Sequence, residues 1–200
     1  MPNALPNLPA GYVQRVHLSI KNSRTMLVLN LVGIVLLVFF GWFFTAMALW
    51  LNPAASGQIF SFTISGLQTL VTIAGLILLV FATLIVHEAV HGLGFRLLAG
   101  VRPVFAFRGT HAYAAAPGWF IRRDPYLAIG LAPFVTLSLL AIGLLAVLPM
   151  PAIPYVILAA VMNASGSVGD LWVAVLLLRQ PKNALAADAG DEITIYAPAG

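Results

Sequence analysis

Charge is what this sequence has least of. Only 8% of its 200 residues are charged, against 61% hydrophobic. Soluble globular domains carry about a quarter charged residues, so a water-exposed globule is excluded and the chain reads as an integral membrane protein. Cysteine is absent. Disulfides and thiolate metal sites are therefore excluded, and a metal could be held only by His, Asp or Glu. Those three are themselves scarce, with four histidines and two glutamates, Glu88 and Glu192. The formal charge of +4 is small. No basic cluster is interleaved with aromatics, which argues against a nucleic-acid partner.

Long apolar runs fill the space that charge leaves. Apolar stretches at about 26–51, 66–98, 126–148 and 152–178 are each long enough to cross a bilayer as a helix. The expected fold is an all-α membrane protein of four transmembrane helices, forming one domain over 1–200. Ala46-Met47-Ala48 mimics a signal-peptidase site, but the run that precedes it is long enough for a retained anchor. Tyr12 to Ile20 alternates imperfectly and predicts a short strand. Residues 101–116 are β-rich, with Gly109-Thr110 as a turn, and predict a small hairpin or sheet element at the membrane surface. Pro133 predicts a kink in the third span, and Gly100 a C-cap for the second. A strand-like patch follows at 193–196, in a polar tail.

The basic residues fix an orientation. Arg15, Lys21 and Arg24 precede the first span. The 95–125 loop has Arg96, Arg102, Arg108, Arg122 and Arg123, and the tail adds Arg179 and Lys182. All ten fall on one side of a four-span arrangement, the cytosolic side by the positive-inside rule. Both termini and the β element are then cytosolic, in a multi-pass protein of the cytoplasmic membrane.

Two histidines and one glutamate meet in five positions, His87-Glu88-Ala89-Val90-His91. On a helix, positions i and i+4 share a face, so both imidazoles can reach one Zn²⁺. Glu88, on the adjoining flank, can take a proton from a water on that ion. The bland alternative is a polar helix end facing headgroups. A catalytic zinc takes three protein ligands and leaves a fourth position open. Between Asp124 and Arg179 the only charged residue is Asp170, inside the fourth span, where a carboxylate costs on the order of 2.5–3.5 kcal/mol on insertion scales. His87 lies roughly 31 Å from the outer end of its helix and Asp170 roughly 27 Å from the outer end of its own, at 1.5 Å per residue. Their depths therefore agree to about one turn, and Asp170 is expected to be the third ligand. The alternatives are a protonated Asp170 in a polar helix–helix contact, and His111 as the third ligand. Asn163, Ser167 and Asp170 follow at i, i+4 and i+7 and predict one polar helical face. Asn163 is expected to bind the substrate backbone or oxyanion, and Ser167 to support the ligands from behind. Asp124 reads as an interfacial ion pair with its flanking arginines, and His17 as ordinary surface.

HEAVHG at 87–92 and NASGSVGD at 163–170, on separate spans, resemble the site-2-protease type of intramembrane zinc metalloprotease. Those motifs, with the β-rich insert and the DAGDEITIY tail at 188–196, resemble more closely the small bacterial zincin peptidases of the DUF3267 type. The resemblance covers most of the chain. It implies His87, His91 and Asp170 as ligands of one Zn²⁺ and Glu88 as general base. The sequence departs from site-2 proteases where Ala164 follows Asn163 and Leu171 follows Asp170.

The function expected is a zinc metalloprotease, within the membrane or at its surface. It would cut peptide bonds near the cytosolic face of a membrane protein or peptide held extended along the 101–116 strands, an edge the 193–196 patch would occupy at rest. The rivals are a surface-acting zincin for misfolded membrane proteins and a non-catalytic metal-binding membrane scaffold or regulator.

Overall fold

A computed structural model describes residues 2–53, 66–107 and 112–199. The turn at Gly109-Thr110 and His111 lie outside the described residues. Helix accounts for 64% of the described residues. The elements run β1 (Ala4–Leu5), β2 (Tyr12–Ser19), α1 (Ser23–Leu51) and α2 (Gly66–Gly94). They continue with β3 (Val104–Phe107), β4 (Ala112–Ala115), β5 (Phe120–Arg122) and α3 (Arg123–Val147). The chain ends with α4 (Ile153–Gly166), α5 (Val168–Leu178), β6 (Leu185–Asp188) and β7 (Glu192–Pro198). Among the described residues, three helices are long and apolar enough to cross a membrane, or four if α4 and α5 count as one bent span.

The described chain forms two units whose boundaries cut through continuous helices. One comprises Gly33–His87 and Phe134–Ser167. Its core gathers Phe44 and Ala48 of α1, Ala141 and Leu145 of α3, and Ile153, Ile157, Ala160 and Ala164 of α4. Four of those eight side chains are alanine, small enough to let the helices approach closely. Phe40, Phe43, Phe44 and Phe134 pack ring to ring beside them. Asn52 closes the end of α1 by donating from Nδ2 to the Leu145 carbonyl at 2.8 Å.

The other unit comprises Met1–Val32, Glu88–Pro133 and Val168–Gly200. Its core is a five-stranded antiparallel sheet in the order β1-β5-β6-β7-β2, packed with Phe95, Tyr126, Ile129, Val173 and Leu177. The α2 helix ends in a π turn, Phe95–Ala99, closed by Gly100 in the left-handed conformation at φ 71°, as its C-cap reading anticipates. Arg123 ties the start of α3 to the end of α5 through Nη1 to the Gln180 carbonyl at 2.8 Å.

The structure alters the sequence reading in three places. The β element is larger than a hairpin. The β3–β4 pair exists as expected, but a separate sheet recruits the strand near the N-terminus, the segment before α3 and the tail. Second, Ile193-Thr194-Ile195-Tyr196 does not lie on the hairpin edge. It is the middle of β7, and both edges of β7 are taken, by β6 and by β2. Third, the fourth apolar stretch is not one helix. It breaks at Ser167, whose hydroxyl and amide both bond the Asn163 carbonyl, at 2.8 and 3.1 Å. Asn163 and Asp170 therefore belong to different helices and do not form a continuous i, i+7 face.

Candidate metal centre

Helix α2 runs unbroken through His87, Glu88 and His91, so helix geometry sets the two rings one turn apart. Both are buried, and Glu88 between them is half-buried. Asp170 stands in the first turn of α5. The positive end of a helix dipole favours a carboxylate there, and the break at Ser167 is what creates that end inside an otherwise apolar stretch.

Each imidazole is oriented through Nδ1. His91 Nδ1–H donates to the Ile129 carbonyl of α3 at 3.0 Å. His87 Nδ1 meets Asn163 Oδ1, also at 3.0 Å, and the amide oxygen accepts. A neutral imidazole that donates from Nδ1 carries its lone pair on Nε2, so Nε2 is the atom that could ligate a metal in both rings. His91 Nε2 and Asp170 Oδ1 are 3.4 Å apart. Two ligand atoms on a tetrahedral zinc, each about 2.0–2.2 Å from it, stand roughly 3.3–3.5 Å from one another. Ligand atoms of His87, His91 and Asp170 all lie within 4.8 Å of one another. Two neutral imidazoles and one carboxylate are the donor set of a catalytic zinc site with one position open.

The remaining sequence-predicted residues divide. Ser167 caps the backbone of α4. Asp124 pairs with Arg123 Nε at 2.8 Å, and His17 meets Thr194 Oγ1 at 3.1 Å on the exposed β2–β7 ladder, both as read. Asn163 stands beside His87.

Three groups escape the sequence reading. Ile129 contributes only a carbonyl, for which side-chain motifs carry no signal. Tyr126 and Asp188 form a buried pair, the phenol donating to Asp188 Oδ2 at 2.7 Å. Asp188 Oδ1 accepts the Gly190 amide at 2.8 Å. Burial pushes the Asp188 carboxyl above the usual carboxylate range. The hydrogen bonds from Tyr126 and Gly190 and the nearby His91 pull it back, while Asp170 adds to the rise.

The β3–β4 hairpin packs against two glycines. A methyl on Gly92 would overlap the Phe105 ring, and one on Gly190 would overlap the Tyr113 ring. Gly190 also holds φ at 87°, which only glycine adopts without cost.

No curated protein and no solved structure matches the chain. A family model described as DUF3267, putative zincin peptidase, matches residues 80–185, just over half of the sequence. That stretch takes in the histidine pair, the hairpin, α3 and the segment from Asn163 to Asp170, and the chain belongs to this zincin peptidase family.

Proposed function

We propose that this protein is a zinc metalloprotease of the membrane that hydrolyses peptide bonds near the cytosolic face, with His87, His91 and Asp170 holding one zinc ion. The observation that carries the reading is the agreement of three ligand atoms with both imidazoles anchored through Nδ1. A zinc ion held by these three residues would lower the pKa of a bound water toward ~7 and polarise a carbonyl oxygen. Glu88, one residue past His87, accepts the proton of the attacking water and passes it to the leaving amine. Asn163 orients His87, a role its hydrogen bond fits better than oxyanion binding.

The peptide must be extended to expose its backbone, and β3 offers an edge for it. Val104, Phe105 and Phe107 of β3 are exposed apolar side chains, suited to an apolar membrane segment. The five-stranded sheet joins strands from before α1, between α2 and α3, and after α5. Those three segments therefore share one side of any membrane the helices cross. They carry eight of the ten lysines and arginines, and the other two, Arg24 and Arg123, stand in the adjoining first turns of α1 and α3, which favours the cytosol.

The test is metal content and cleavage side by side. Wild type should bind one zinc per chain, and His87→Ala and Asp170→Ala should lose it. Glu88→Gln should keep the metal and lose about 10²–10⁴-fold in cleavage. Equal metal in all variants refutes the site, and full activity in Glu88→Gln refutes the mechanism in favour of a scaffold.

A further inference from the structure

Helical carbonyls accept from the amide four residues on. For Ile129 that residue is Pro133, inside α3, which has no N–H and whose ring crowds the carbonyl four residues back. Ile129 is 1% exposed, so water cannot make good the loss. A backbone carbonyl deprived of its donor in an apolar interior must find another one. The donor it finds is His91 Nδ1–H, at 3.0 Å.

The facing helix is shaped for this contact. A methyl on Gly94 of α2 would stand 3.3 Å from the Ile129 side chain and 3.5 Å from its Cα. Glycine at that position, three residues past His91, lets the backbone of α3 come close enough for its carbonyl to reach the ring.

From this we infer that Pro133 is a positioning residue of the metal centre. By withholding an amide hydrogen, it leaves the Ile129 carbonyl to His91 and so fixes Nε2 as the nitrogen turned toward Asp170. The inference rests on the zinc reading above for its consequence, but not for the contact itself. It also gives the proline a task other than bending the helix. Partners behind a ligating histidine set its tautomer and ring orientation, and their loss typically costs 10–100-fold in metal affinity.

The experiment separates the missing donor from the ring and the bend. In Pro133→Ala an amide returns to the Ile129 carbonyl. A second variant puts the ester analogue of alanine at the same position, by incorporating an α-hydroxy acid; it lacks both the ring and the N–H. Two quantities are read on the full chain in detergent or nanodiscs: the zinc dissociation constant, and the ¹⁵N shifts of the His91 ring in the metal-free protein. Pro133→Ala should weaken zinc 10–100-fold and turn a single Nδ1–H tautomer into a mixture, while the ester variant keeps both wild-type values. Gly94→Ala, which disturbs the contact from the other helix, should also mix the tautomers and covers the case in which Pro133→Ala does not fold. The proposal is overturned if Pro133→Ala keeps wild-type affinity and a single tautomer. It is equally overturned if the ester variant falls as far as alanine, since the ring would then be what matters. Wild type binding no zinc would refute the metal reading alone, because the tautomer comparison still decides the role of Pro133.

Discussion

Asp188 lies outside the matched family segment, yet it is one of six buried polar or charged residues among those described. Removing its carboxylate leaves the Tyr126 hydroxyl and the Gly190 amide without their acceptor. Asp188→Ala should therefore cost about 1–3 kcal/mol per stranded group, read as a fall in thermal unfolding temperature. Its pH signature has a definite sign. The folded state holds the Asp188 proton more tightly than the unfolded chain does. The stability this contributes is fully present below the unfolded carboxylate range and is lost as pH rises through the folded pKa. Asp188→Asn keeps one of the two acceptor oxygens and removes the titration, so its stability should be flatter across that window. Side chains with a chemical signature were legible at this scale: His87, Glu88, His91 and Asp170 all stand out because so few charged residues surround them. Ile129 and the carbonyl of Asn163 were not, because a backbone oxygen becomes special only through what its neighbours fail to donate. The proline four residues past Ile129 was in view, but a kink was the only meaning it carried without a partner across the helix.

Helices are where periodicity and length spoke most plainly. The starts and ends of α1, α2 and α3 fall within three or four residues of the apolar runs that predict them. The fourth run misled, because Ser167 and Gly169 cost little in a hydropathy reading while Ser167 turns its hydroxyl back on the Asn163 carbonyl. A broken helix supplies what a continuous one lacks, a fresh N-terminus at depth, and Asp170 sits in its first turn. The hairpin belongs to this scale too. Alanine at Gly92 improves helix propensity by roughly 1 kcal/mol but its methyl displaces the Phe105 ring. Gly92→Ala should therefore keep its zinc and its thermal stability and raise KM for a peptide substrate. An unchanged KM would detach β3 from substrate binding.

The whole molecule is drawn together by pairings that no local pattern could announce. Tyr12 pairs with Pro198 and Ser19 with Glu192, and Arg15 donates to the Pro198 carbonyl at 2.7 Å across 183 positions of sequence. The sequence marked both strands as β-rich, but alternation tells a strand which face is buried and not which strand it will meet. Since β7 lies between β6 and β2, deleting 192–200 should strip β2 of its partner. Amide exchange over residues 13–19 should then rise toward that of an unfolded segment, while α1 and α4 keep their protection. Retained protection of β2 would contradict the strand order.

That long-range pairing also puts a clock on biogenesis. β2 is made 183 positions ahead of its mate, and at roughly 5–20 residues per second the wait is on the order of 10–40 s. Until then a bare ladder of amides and carbonyls stands open, ready to pair with whatever chain passes by. A truncated or clipped copy never ends that wait, and its β2 stays an open edge on which another chain can pair.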